Sequence, residues 1–211
     1  MAEFEGIVGN NRFGVGDGAG DVVRMGKTGE LIRGDAHGEF YEATSRGLVY
    51  SACTAVGGVA HGTSLSTTAS FTLHNPLGSG VLLSLICCSM GYLSGTLGLG
   101  VMYLTTHAGV AVANPTGTAI VVRQNLLGCS AAGKALAFTT ATVATQIAIR
   151  PLWSFGPLLA TTVFTPFICK DQINGEIIVS PGYGINMHSV AGAGASPLVL
   201  CGMSWEEVPI S

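Results

Sequence analysis

The chain has 211 residues, of which only 10% are charged, against about 25% in an ordinary soluble domain. Nine Lys and Arg stand against twelve Asp and Glu without a basic cluster, which argues against binding to nucleic acid or to an anionic membrane surface. From Gly47 to Val122 there is no charged residue, although Gly, Ser and Thr are abundant. A surface this poor in charge is typical of a protein that neighbouring proteins cover, and it indicates an assembly component.

Residues 1–46 differ in composition from the rest and are predicted to form an N-terminal arm. They hold 13 of the 21 charges and ten glycines. The glycine-rich run 14–20 cannot pack a side-chain core and indicates an extended loop. We therefore expect a body at 47–211, and an arm that docks on neighbours through its apolar, aromatic and arginine side chains: Phe4, Ile7, Val8, Phe13, Arg24, Arg33, Phe40 and Tyr41.

The first residues of the chain are acidic and contain no apolar run, so no signal peptide is predicted and synthesis in a cytosol is expected. Thiols in that compartment stay reduced, and we expect most of the cysteines to be buried small hydrophobes. Disulfide pairing after release into an oxidising medium is the alternative. The six cysteines, none of which forms a C-x-x-C pair, are Cys53, Cys87, Cys88, Cys129, Cys169 and Cys201.

From Leu48 onward, short apolar and β-branched runs alternate with turn signals such as Asn-Pro and Pro-Gly, which predicts an all-β body. Only the Ala-rich segment 130–144 has weak helical character. In the final segment heavy side chains at Val199, Met203 and Trp205 alternate with light ones, so we expect them to pack in the core and against other subunits. The predicted strands are 48–52, 68–73, 81–93, 101–106, 118–123, 146–152, 162–169, 176–179, 184–190 and 197–208.

The segment 81–104 is apolar and long enough to cross a membrane as a helix. Glycines interrupt it, however, and the nearest basic residues are Arg46 and Arg123, so nothing would set its orientation. We therefore predict a β-hairpin of strands 81–93 and 101–106, and no membrane partner.

Motifs that carry chemistry are incomplete in this chain. Gly26-Lys27-Thr28 lacks the glycine that a phosphate-binding loop needs at position 21, which is Asp21. His37-Gly38-Glu39 matches half of a zinc deaminase site, but the P-C-x-x-C half is missing. Asp35, with His37, Glu39 and Glu42, could surround one ion, although a solvated turn is the favoured interpretation. No catalytic, cofactor-binding or metal-binding residue is predicted, and we do not expect an enzyme.

The C-terminal third resembles the ending of tailed-bacteriophage virion structural proteins. In that group a strand ends in a Pro-Gly turn, a Gly/Ala hairpin follows, and the chain closes on W-E-E-[VI]-P. The matching residues here are 175–185 (GEIIVSPGYGI), 191–195 (AGAGA) and 198–209 (LVLCGMSWEEVP), and shorter similar pieces occur at 29–31, 35–42 and 75–80.

This resemblance implies a jelly-roll-like β-sandwich body with an extended, Gly-rich N-terminal arm, in a virion building block that is often a homotrimer. The expected function is a capsid cement or decoration protein, which would bind the major capsid protein or other virion proteins after assembly in the host cytoplasm. A tail, neck or fibre-associated β module that binds a host glycan or another virion protein is the alternative. A virion-borne hydrolase using Glu176, or Asp35 and His37, is a third and less favoured hypothesis.

Overall fold

The structure, a computed structural model, describes residues 38–62, 64–65, 68–96, 98–108, 114–129, 131–143, 146–155, 168–191 and 196–210. The unit that carries the β-sheets spans Glu42–Ser211. Most of the predicted arm lies outside the described residues, so the boundary predicted between residues 46 and 47 stays a prediction.

Within the described ranges the chain forms one short helix, α1 (Tyr41–Ser45), and thirteen strands. The strands are β1 (Val49–Cys53), β2 (Val59–Ala60), β3 (Thr68–His74), β4 (Val81–Ser94), β5 (Gly100–Ala108), β6 (Thr116–Ile120), β7 (Arg123–Gln124), β8 (Leu136–Thr142), β9 (Gln146–Phe155), β10 (Ile168–Gln172), β11 (Ile178–Val179), β12 (Tyr183–Ala191) and β13 (Leu198–Pro209).

Two antiparallel sheets form a β-sandwich, which confirms the predicted all-β class. The front sheet has the strand order β10-β4-β13-β1-β7, with β11 added to β4 and β2 added to β13. The back sheet has the order β6-β8-β3-β12-β5-β9.

Eight of the strands form a jelly roll. In chain order, the first to eighth of these are β1, β3, β4, β5, β9, β10, β12 and β13. The front sheet then has the order sixth (β10), third (β4), eighth (β13) and first (β1). The back sheet has the order second (β3), seventh (β12), fourth (β5) and fifth (β9). This is the arrangement of two Greek keys that defines a jelly roll, as the resemblance of the C-terminal third implied.

The strands β6, β7 and β8 are an insertion between the fourth and fifth jelly-roll strands. β6 and β8 extend the back sheet beyond β3, whereas β7 pairs with β1 at the edge of the front sheet. One inserted segment therefore takes part in both layers on the same side of the sandwich.

The core lies between the sheets and contains the heavy face predicted for β13. Val199, Met203 and Trp205 are each at most 2% exposed, and the Trp205 ring stacks on Tyr50 with centroids 6.5 Å apart. These three side chains are therefore buried within one chain, in its core. That they also pack against other subunits stays a prediction.

Two segments differ from their predictions. β4 and β5 do not form the expected hairpin, because β4 pairs with β13 and β10 in the front sheet, whereas β5 pairs with β12 and β9 in the back sheet. The weakly helical segment 130–144 contains strand β8, which pairs with β3 and β6. The predicted strand 162–169 lies mostly outside the described residues. Among the helices that the structure describes, none has the length and apolarity to span a membrane.

The turn after β3 depends on the buried residue Asn75. Its side-chain Nδ2 donates to the carbonyl oxygens of Val81 at 2.8 Å and Val179 at 2.9 Å. Its backbone N–H donates to the Tyr183 carbonyl, and its own carbonyl accepts from the Gly182 N–H. The side chain therefore joins the start of β4, in the front sheet, to the end of β11.

Replacing Asn75 with alanine is expected to lower the free energy of unfolding by about 2 kcal/mol, because two buried carbonyls lose their donor. Urea unfolding followed by tryptophan fluorescence would measure the loss. The matched control is Asn125→Ala, since the Asn125 side chain is exposed. Equal losses in the two variants would contradict a special role for Asn75.

Candidate functional site

The residues predicted to make interfaces fall into two groups. Phe4, Ile7, Val8, Phe13, Arg24 and Arg33 lie outside the described residues. Phe40 precedes α1 and is partly buried, and Tyr41, the first residue of α1, is 51% exposed. Of these arm residues the structure describes only Phe40 and Tyr41, and it places neither in a defined site.

A groove of about 710 Å³ lies against the face of the front sheet that points away from the core. Its floor is made of small side chains in two rows across β1, β13 and β4. One row is Ser51, Ser204 and Cys87, and the other is Cys53, Gly202 and Ser89. Because these side chains are small, they leave the space above the sheet unfilled, and this space can hold part of another molecule.

The inserted segment forms the wall of this groove. Thr118–Val121, from β6 and the residue after it, line one part, and Arg123–Asn125 with Leu127 line another. Val121 is 65% exposed and Leu127 is 89% exposed. Arg123 is the one charged residue among the described residues that line the groove.

The strand β6 borders the groove and is an edge strand. Its one partner among the described strands is β8, and Thr116–Ala119 are exposed. An edge strand presents unpaired backbone N–H and C=O groups along one side, which is a template for an added strand.

A second apolar surface lies where β9, at the opposite edge of the back sheet, approaches β11. Ile149, Ile178 and Tyr183 line a depression of about 220 Å³, and Ile178 is 55% exposed. Two register shifts against β5 and the residue Pro151 interrupt β9. Such irregularities protect an edge from strand addition, so contacts here would be made by side chains.

The charges of the body are few, and half of them have structural partners. Arg150 bonds to Asp171 at 2.9 Å and to Glu176 at 2.7 Å, which ties β9 to the front sheet. Glu207 is buried and accepts backbone hydrogen bonds. The others between residues 47 and 211 are Arg123, Lys134, Lys170 and Glu206.

The face of the back sheet that points away from the core carries a row of histidines. These side chains are buried nonetheless, since His74 and His107 are each 2% exposed. In register, Gly184 on β12 lies between His74 on β3 and His107 on β5. Because Gly184 has no side chain, the two imidazoles meet above it. His107 Nε2 lies 3.3 Å from His74 Nδ1, and the rings are stacked.

The next row contains Thr72, Asn186 and Thr105, and Asn186 orients the histidine pair. Asn186 Oδ1 accepts from Thr72 Oγ1 at 2.9 Å and faces His107 Nδ1 at 3.1 Å, while its Nδ2 donates to Thr105. With Oδ1 as an acceptor, His107 carries its proton on Nδ1. His107 Nε2 then accepts a hydrogen bond from His74 Nδ1.

Burial keeps these imidazoles neutral. It lowers the pKa of His74 to about 4, and the neighbouring His107 acts in the same direction. Burial also lowers the pKa of His107 and that of His188, which lies on the same face of β12 two residues after Asn186. At neutral pH the row is therefore an uncharged hydrogen-bonded network.

Replacing Gly184 with alanine is expected to lower the free energy of unfolding by about 2 kcal/mol, because the new Cβ would overlap the His107 ring. Thermal or urea unfolding would measure the change. Gly57→Ala is the control, since a Cβ at Gly57 meets no atom within 4 Å. A Gly184 variant as stable as the Gly57 variant would contradict the geometry of the row.

The cysteines are unpaired but are not all buried. Cys88 and Cys201 lie in the core, where burial raises the pKa of each thiol to about 12. Cys53 and Cys129 are exposed and Cys87 and Cys169 are half-buried, so the prediction that most of the cysteines are buried is wrong. Among the described residues, no group of three or more His, Cys, Asp and Glu side chains has the geometry to hold a metal ion.

Comparison with known proteins gives no relative. No family model, no curated protein and no solved structure matches the chain.

Proposed function

We propose that this protein is a structural subunit of a bacteriophage virion, and that it works as a capsid cement or decoration protein. The observation that carries the proposal is the surface of the jelly-roll body, which combines exposed large apolar side chains with very few charges. Jelly rolls are a recurrent architecture of viral capsid proteins, and the resemblance of the C-terminal third to phage virion proteins supports the same class.

The mechanism of such a subunit is mechanical. Association in a homotrimer, and contact with the major capsid protein or other virion proteins, would cover both the groove and the surface around Ile178. Apolar area removed from water stabilises each contact by about 25 cal/mol per Å² before the costs of association. The added contacts would raise the barrier to shell rupture.

Light scattering coupled to size-exclusion chromatography tests the self-association. We expect the full chain to run as an oligomer at micromolar concentration, with a trimer as the expected species. A stable monomer would contradict the proposal. Mass spectrometry of purified virions, followed by cryo-electron microscopy, would then locate the chain on the shell, and its absence from the shell would exclude the cement role.

A tail, neck or fibre-associated module that binds a host glycan is the second candidate. Lectin domains share the jelly roll, and the groove offers hydroxyl and amide groups from Ser51, Ser89, Ser204, Gln124 and Asn125. The described lining of the groove contains no aromatic ring on which a sugar could stack, which ranks this function lower. Binding of the purified chain on a glycan array would reverse that order.

A further inference from the structure

We propose that the groove binds the N-terminal segment 3–8 of a second copy of this chain, as an added strand beside β6, with Phe4 inserted above the small-residue floor. This inference rests on the proposed function, because it names the contact through which one subunit engages the next.

The position of β6 supports strand addition. β6 forms one border of the groove, and its exposed residues 116–119 leave its free side open. An extended peptide gains main-chain hydrogen bonds along such an edge, and alternate side chains enter the neighbouring depression. The segment 3–8 reads EFEGIV, in which Phe4 and Val8 lie on the same face of an extended strand.

The chemistry of the groove fits that sequence. Its small floor residues leave room for a large side chain such as Phe4, and the exposed Val121 and Leu127 offer apolar contacts beside it. Glu3 and Glu5 flank Phe4 on the opposite face of the extended segment. They would therefore meet Arg123, the charged group of the described lining, at the wall of the groove and not at its floor. An acidic segment with one aromatic anchor therefore complements a groove that carries one cation.

The chain between the segment and the body is long enough to reach a neighbour. Residues 9–41 separate the two, and 33 residues in extended form span at most roughly 110 Å.

Charge reversal in the full-length protein tests the contact. Arg123→Glu and Phe4→Ala are each expected to weaken self-association about tenfold or more, as measured by sedimentation equilibrium. Combining Arg123→Glu with Glu3→Lys and Glu5→Lys should restore much of the loss. Lys170→Glu is the control, since Lys170 is an exposed cation of the front sheet that does not line the groove and lies across the floor from Arg123, beside Ser89, so its reversal should have a much smaller effect.

Cross-linking identifies the partner. In a Phe4→Cys variant, a short bis-maleimide should join residue 4 of one copy to Cys53 of another, because Cys53 is exposed on the groove floor. Adding Cys53→Ser should abolish that product in mass spectrometry. A link formed only within one chain would overturn the proposal.

The two proposals fail differently. If the wild-type chain is a monomer, the proposed function fails and the groove contact fails with it. If the wild-type chain is an oligomer whose size and affinity are unaffected by Phe4→Ala and Arg123→Glu, only the groove contact is overturned.

Discussion

Replacing Glu207 with alanine is expected to lower the free energy of unfolding by about 3 to 5 kcal/mol. The carboxylate is 5% exposed and accepts the backbone N–H groups of Lys134 at 2.9 Å and Ala135 at 3.0 Å. Its Oε1 also accepts the indole N–H of Trp205 at 3.4 Å. The substitution leaves these donors without an acceptor and detaches the chain that leads into β8 from β13.

Two further variants make this prediction specific. Glu207→Gln keeps an acceptor of nearly the same shape and should cost clearly less than the alanine variant. Glu206→Ala removes the preceding carboxylate, which points away from the core, and should change stability by at most about 0.5 kcal/mol. Urea unfolding at one fixed protein concentration would compare them, because association also shifts apparent stability. A Glu207→Ala variant no less stable than Glu206→Ala would refute the anchoring role.

Acidification from pH 6.5 to pH 4 is expected to remove about 2.5 kcal/mol of stability through His74 alone. The pKa of this imidazole is about 4 in the folded protein, against an ordinary value of 6.5. Between these two values the unfolded chain binds more protons than the folded chain, so stability falls as the pH falls. His107 and His188 act in the same direction, since burial lowers the pKa of each.

The control is His74→Phe, which keeps an aromatic ring at this position but cannot take up a proton. The variant loses the hydrogen bond between residue 74 and His107 and therefore starts from a lower stability at pH 7. The informative quantity is thus the slope of unfolding free energy against pH. That slope should be flatter in the variant between pH 6.5 and pH 4. Identical slopes for the two proteins would mean that His74 is not the group that titrates.

The sequence predicted well what local patterns determine. The alternation of heavy and light residues in β13 indicates one buried face, and the structure buries Val199, Met203 and Trp205 accordingly. The prediction failed where pairing is not local. The apolar stretch that holds β4 and β5 contains two strands, but no local signal shows that they belong to different sheets. The Ala-rich β8 is a strand because β3 and β6 pair with it, and tertiary pairing overrides helix propensity.

The candidate sites could be predicted from the sequence even less well than the fold. The histidine row joins residues 74, 107 and 184, which are far apart in the chain and meet only through the registers of β3, β5 and β12. The groove floor consists of Ser, Cys and Gly, which carry no distinctive motif. The buried Glu207 belongs to the W-E-E-[VI]-P ending, yet nothing in the sequence distinguishes it from its half-buried neighbour Glu206.

The central position of β13 has a consequence for synthesis of the protein. β13 fills the slot between β4 and β1, so a ribosome that has not yet made Leu198–Pro209 holds a front sheet that cannot close. Until β13 has been made, β1 and β4 each have an unpaired edge, and the apolar core residues that β13 would cover are exposed. Folding of this layer must therefore wait for translation of the last strand, and chaperone protection of the nascent polypeptide matters most during that interval.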